Sequence, residues 1–134
     1  MELSFAKLHG LGNDFVFIDD RDRALKLTDA QVSYLCDRHF GIGADGVILV
    51  RPATSEEGDG YMHYINADGT LAQMCGNGVR CFAKYLVDRE LADVASGHLL
   101  ADTLAGPRPI AFSVDAGGKM TEATVNMGAP ILDP

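Results

Sequence analysis

The segment 79–87 constrains this chain more than any other. Seven of its nine residues are apolar: Val79, Cys81, Phe82, Ala83, Tyr85, Leu86 and Val87. The polar neighbours Arg80, Lys84 and Asp88 fall four residues apart and so line up in one narrow stripe of a helix. A helix that is apolar on nearly every side is a buried helix. The pattern predicts a helix over about 76–90, and the rest of the chain must supply walls around it.

Those walls read as strands. Short β-branched or aromatic runs at 3–8 and 15–19 flank the glycine-rich stretch His9-Gly10-Leu11-Gly12-Asn13-Asp14, a strand, loop, strand pattern. Thr28, with Gln31 three residues on, forms a capping box that opens a first helix. Val32, Leu35 and Cys36 give that helix its apolar face, and Gly41 is its expected stop. Residues 47–50 are a continuous apolar strand, followed by a polar loop over 51–60. Another strand, 61–66, turns at Asp68-Gly69, a favoured hairpin dipeptide, and 70–74 lead back into Cys75. Runs at 98–103, 109–114 and 120–127 read as further strands between Gly and Pro turns. The expected class is α+β, with many short strands wrapped around one central helix.

Length and charge narrow the function classes. A chain of 134 residues is expected to form one domain with a real core. Eleven Lys and Arg against 19 Asp and Glu give a net charge of −8, which argues against nucleic acid or an anionic membrane as partner. No apolar run approaches the ~18–20 residues of a spanning helix. The opening Met1-Glu2-Leu3-Ser4-Phe5 lacks the basic and apolar regions of a secretory signal, so a cytoplasmic location is expected.

An odd count of three cysteines, Cys36, Cys75 and Cys81, argues against a disulfide framework. None has the neighbouring Cys or His of a zinc site. Cys75 and Cys81 on one helix would lie on different sides and ~9 Å apart along the axis, too far for a bridge. Gly41-Ile42-Gly43-Ala44-Asp45-Gly46 matches the dinucleotide string G-x-G-x-x-G. That string needs a strand before it and a helix after it. Here the order is reversed, so a tight helix-to-strand connection is expected and a dinucleotide oxidoreductase is not.

Cys75 is the residue with chemical promise. It sits where the buried helix begins, and the free N–H groups and dipole there favour negative charge. Such positions can lower a thiol pKa from ~8.5 into roughly the 3.5–7.5 range. Gly76 and Gly78 keep side chains away, so an anionic group could approach the first turn. Cys75 is a candidate base or nucleophile beside a carboxylate or oxyanion site, or else a packed structural cysteine of the common kind. Cys36 and Cys81 lie inside helical patterns and are expected to pack. The histidines at 9, 39, 63 and 98 form no recognisable triad, and His39 is expected to serve as a helix C-terminal cation. Asn13 and Asn66 end strands beside glycine turns and could be turn residues or ligand donors.

Four stretches together carry a resemblance: 9–15, 37–46, 66–69 and Met74-Cys75-Gly76-Asn77-Gly78-Val79-Arg80-Cys81, with Val125-Asn126-Met127-Gly128 and Pro130 behind them. They resemble the N-terminal half of the diaminopimelate epimerases, from Phe5 to the end of the chain. The related proline racemases typically carry His where Asn77 stands.

The resemblance implies a half-domain with a mixed or antiparallel, barrel-like sheet around its central helix. It implies cofactor-independent interconversion of LL- and meso-diaminopimelate for lysine and peptidoglycan synthesis, with no metal. One cysteine comes from each of two pseudo-symmetric halves. One thiolate removes the α-proton and the opposite thiol protonates the other face, which requires positioned groups and excluded water. Carried over by position, Cys75 is one of the pair. The N–H groups of Gly76 and Asn77 would hold the reacting carboxylate, and Asn13 and Asn66 would contact substrate. At Gly46 some members carry a substrate-contacting glutamine, which glycine cannot replace.

The C-terminal half, with the second cysteine, is expected as a partner, and without it the chain should not epimerise. A homodimer through the exposed face is a further expectation. The competing readings are a non-catalytic binding or assembly module of the same fold, and an isomerase acting on another small acid.

Overall fold

The computed structural model describes residues 4–10, 12–22, 25–72, 75–93 and 95–126. Among these the elements run β1 (Phe5–Gly10), β2 (Asn13–Asp19), α1 (Asp29–Cys36), β3 (Gly46–Arg51), β4 (Gly60–Asn66), α2 (Gly76–Asp88), β5 (His98–Thr103), β6 (Gly106–Val114) and β7 (Met120–Val125). The strands form one sheet in sequence order. Neighbours are antiparallel except β2–β3 and β4–β5, which are parallel. A parallel pair needs a crossover connection. The two helices are those crossovers, α1 between β2 and β3 and α2 between β4 and β5.

The period-2 alternation of β2 and β3 sorts their side chains between two cores. Phe15, Phe17, Ile48 and Val50 pack with Val79, Phe82 and Leu86 of α2. Val16, Ile18, Val47 and Leu49 pack with Val32 and Cys36 of α1. Coverage on both faces explains why 47–50 is an unbroken apolar run rather than an alternating one. Further along the sheet Leu99, Ala101, Ile110 and Phe112 fill the α2 side.

The sheet curls around α2, which contacts β1, β2, β5, β6 and β7. Its residues Gly78, Val79, Cys81, Phe82, Ala83, Tyr85, Leu86 and Val87 are all buried, as the apolar circumference demanded. The polar stripe also packs. Lys84 pairs with Asp88 at 2.8 Å and donates to the Met120 carbonyl, while Asp88 accepts the Met120 N–H at 2.8 Å. The helix ends at Asp88, two residues before its expected stop. Glu90 takes φ 59, and the N–H groups of Glu90 and Leu91 return to the carbonyls of Val87 and Leu86. This is the paired-bond helix ending that favours a left-handed residue.

Other expectations are corrected. The glycine-rich stretch is largely strand: His9 and Gly10 pair with Asp14 and Asn13, and Gly12 takes φ 93. The first helix stops at Cys36 rather than near Gly41, because the Asp37 carboxylate accepts the N–H groups of His39 and Phe40 and folds the chain into a turn. His39 therefore lies beyond the helix and is not a cation of its last turn. Gly41 packs over the helix end, where a Cβ would collide with the Tyr34 carbonyl. The return of the 68–69 hairpin is a single bridge, Ile65 to Leu71, rather than a strand. Strand β6 begins at Gly106, three residues earlier than expected. The expected start of the first strand at Leu3, the Met74 end of the return and the end of the last strand at Met127 lie outside the described residues, as do Gly128 and Pro130.

Candidate active site

Cys75 is the N-cap of α2, with extended backbone (φ −137, ψ 126), and it is partly exposed. No side chain caps the helix here, and its first turn holds no acidic residue. The first N–H groups of a helix have no carbonyl four residues back to bond. The turn 76–78 therefore presents donors and the positive end of the dipole beside the thiol. Gly78 plays a different part from the one expected. Its missing side chain faces inward, where a Cβ would rest 3.6 Å from Ile48 and Phe15 and 3.7 Å from Cys75. It does not clear the outer approach.

The other two cysteines are buried. Burial pushes the Cys81 thiol up to about 11 and raises that of Cys36 as well. Both pack in the cores, as expected from their places in the helices.

Asn13 is tied directly to the start of α2. The Asn77 amide donates to Asn13 Oδ1 at 2.7 Å, and the Asn13 amide donates to Asp45 Oδ2 at 3.2 Å. This chain fixes which end of the Asn13 amide points to α2. Asp45 in turn accepts the Asp14 N–H, and Arg38 grips both Asp14 oxygens at 2.9 and 3.0 Å while reaching Asp45 at 3.2 Å. Lys7 adds a 3.2 Å contact to Asp14. The bonds from Arg38, aided by Lys7, hold the Asp14 carboxyl well below the usual carboxylate range, against a smaller opposing effect of burial. The same pairing raises Arg38. Beside this network lies an open cleft of about 680 Å³ lined by Lys7, His9, Gly12, Asn13, Asp14 and Arg38. Cys75 is not on its walls, so the Asn77–Asn13 bond is what links cleft and thiol.

Gly46 opens β3 opposite Asn66, the last residue of β4, and Phe15 lies on its other side. Thus Asn13, Gly46 and Asn66 share the strand ends of the central sheet. The Asn66 amide, however, turns to its own hairpin and donates to Thr70 Oγ1 at 3.1 Å. The structure joins Cys75, Gly76, Asn77 and Asn13 in one connected group and leaves Asn66 outside that hydrogen-bonded chain.

The family model for diaminopimelate epimerase matches residues 5–132. This chain belongs to the diaminopimelate epimerase family. The diaminopimelate epimerase of Thermosynechococcus vestitus is 48% identical over 136 residues, covering 98% of this chain and 45% of the relative. That of Burkholderia thailandensis is 45% identical, covering 100% of this chain and 44% of the relative. In Leptospira biflexa the figures are 40% identity, 100% and 46%. The chain thus spans about half the length of the diaminopimelate epimerases it matches.

Solved structures agree on the fold. A methylitaconate-delta-isomerase superposes with TM-score 0.72 at 13% identity, covering 89% of this chain and 36% of its own. A hydroxyproline epimerase from Agrobacterium vitis, solved with bound trans-4-OH-L-proline, gives 0.72 at 15%, covering 92% and 40%. Both share the curled mixed sheet around a helix seen in this diaminopimelate epimerase family member.

Asp14, Arg38 and Asp45 were part of the motif stretches, yet no local pattern marks their joint role. Arg38 reaches Asp14 across 24 positions, and Asp45 reaches Asn13 across 32. Among the described residues no group of three or more His, Cys, Asp or Glu is arranged to hold a metal ion, and no helix is long and apolar enough to cross a membrane.

Proposed function

We propose that this chain is the N-terminal, thiol-bearing half of an enzyme that interconverts LL- and meso-diaminopimelate. The observation that carries the reading is a partly exposed cysteine at the uncapped start of a buried helix, beside an asparagine pair locked by Asp45. An amino-acid carboxylate docked on the N–H groups of Gly76 and Asn77 would be stabilised by the local dipole. Its α-carbon would then lie near the Cys75 sulfur.

In this scheme the Cys75 thiolate takes the α-proton, the electron pair moves into the carboxylate as an enediolate, and a thiol on the opposite face returns a proton to the carbon. Two one-proton groups suffice, and no cofactor is consumed. The N–H donors matter most when negative charge builds on the carboxylate, which is the condition for lowering the barrier. Asn13 and Asn66 are assigned to substrate, Asn13 through an amide already oriented by Asp45.

The opposite thiol is assigned to a second half-domain, in line with relatives about twice as long. Alone, the 134-residue chain is expected not to turn over. A cytoplasmic setting, where thiols stay reduced, suits this use of Cys75. Alkylation with iodoacetamide provides the test. Cys75 should react first, and LL-diaminopimelate should slow that reaction while leaving the buried Cys36 and Cys81 unmodified. Equal rates with and without ligand would reject the reading. Mixing with a C-terminal half should restore deuterium wash-in at the α-carbon, whereas assembly into a catalytically silent homodimer would favour the module alternative.

A further inference from the structure

Tyr64 is a buried aromatic whose polar end has no assigned use. Its ring is held from two sides. It meets the Phe15 ring edge-on, with centroids 5.5 Å apart and planes at 89°. Its Cε1 also lies 2.6 Å from where a Cβ on Gly46 would stand, and the Ile65 carbonyl is 2.7 Å from the same point. Because one of those walls is backbone, the clash could not be relieved cheaply. Gly46 is therefore the space that lets the Tyr64 ring lie flat against the strand end.

Phe15 continues the contact to the start of α2, where its ring meets the Gly78 position at 3.6 Å. Tyr64 packs in one cluster with Phe15 and Val79, with Cys75 against its edge, and is 9% exposed; among the described residues Arg108 Nε is the buried side-chain N or O atom found without a partner. The Tyr64 hydroxyl has no hydrogen-bond partner there either, so it keeps contact with solvent. Burial, and after it the nearby Cys75 and Asp45, push the phenol up to about 12. Cys75 and Asp45 are the two ends of the group described above. The hydroxyl thus stays protonated at neutral pH and leaves the positive field of the helix start to a ligand.

We propose that Tyr64 is a further binding residue, and that its hydroxyl donates a hydrogen bond to the carboxylate of an amino acid seated at the start of α2. This rests on the ligand assignment made for Cys75, Gly76 and Asn77. A neutral donor suits the place: a carboxylate side chain would compete with the ligand. A hydrogen bond to a charged group that is lost without replacement corresponds to roughly a tenfold weaker affinity.

The test is a titration of the 134-residue chain with LL-diaminopimelate, followed by NMR of the backbone amides and of ring-labelled tyrosines. Tyr64→Phe keeps the ring and removes the hydroxyl, so the fold is retained, which an unchanged thermal midpoint verifies. The expected result is that the Tyr64 ring signals and the Gly76 and Asn77 amides shift with one dissociation constant, which rises about tenfold in Tyr64→Phe. Saturating shifts at Gly76 and Asn77 with a silent Tyr64 and an unchanged constant in Tyr64→Phe would overturn the inference while sparing the ligand site. Silence at all three positions would overturn both.

Discussion

The two helices among the described residues begin in opposite ways. At α1 the Thr28 hydroxyl accepts the Gln31 N–H and the Gln31 side chain accepts the Thr28 N–H, a closed capping box with Asp29 in the first turn. At α2 the N-cap is Cys75, with no capping bond and no acidic residue. Helix α1 lies on the outer face of the sheet and depends on its cap for part of its stability. Helix α2 is enclosed by the sheet, so packing holds it, and its N-terminus can be left open for a ligand. Burial frees a helix end from stabilising itself.

The largest effect expected from this contrast is in packing. Phe82 is fully buried between α2 and the sheet. Phe82→Ala should lower unfolding free energy by about 3–5 kcal/mol in denaturant titration. Val32→Ala on α1 removes less apolar volume and should cost roughly half that. Equal losses would mean that α2 is not the more deeply anchored helix.

Alkaline pH gives the next effect. The Cys81 thiol is raised to about 11 in the folded chain by burial, whereas an unfolded thiol titrates near ~8.5. Between these values the folded state binds the extra proton, so stability must fall as pH rises. The loss begins above the unfolded pKa and is complete once the folded thiol ionises. Its steepest slope is about 1.4 kcal/mol per pH unit. Comparing the slopes of the native chain and Cys81→Ala isolates this thiol from the tyrosines, and identical slopes would remove it as the cause.

The smallest effect is the most telling about the helix starts. Thr28→Ala should destabilise by ~1 kcal/mol, since the Gln31 N–H loses the Thr28 hydroxyl as its acceptor. Cys75→Ser should do the reverse and stabilise by a few tenths to ~1 kcal/mol by installing a good N-cap, while abolishing alkylation at position 75. A stability gain coupled to loss of the reactive group is what a helix end reserved for function predicts. A Cys75→Ser variant less stable than the native chain would show the thiol to be a packing residue.

Much of the fold was legible because its signals are local. The capping box at Thr28, the strand at 98–103 and the apolar circle of α2 each follow from residues within a few turns or a single strand. The reversed order around Gly41 and Gly46 was likewise readable: α1 precedes the string and β3 follows it. The misreadings sit where a distant partner overrides local chemistry. Glycines at 10 and 12 suggested a long loop, but antiparallel pairing continues through Gly10 and Asn13 to within two residues of itself. Gly41 suggested a helix stop, but the Asp37 carboxylate had already turned the chain.

The sequence by itself determined that a helix with an apolar circumference must be enclosed, that a cysteine opens it, and to which family the motifs belong. Only the tertiary structure decided what surrounds that cysteine. The Asn77–Asn13–Asp45 chain, the Arg38 clamp on Asp14 and the Tyr64 ring over Gly46 all join residues at least 18 positions apart. Periodicity and capping act over one or two helical turns. Hydrogen bonds and ring contacts across a curled sheet depend on which strand ends meet, and that follows from the order and register of the whole sheet.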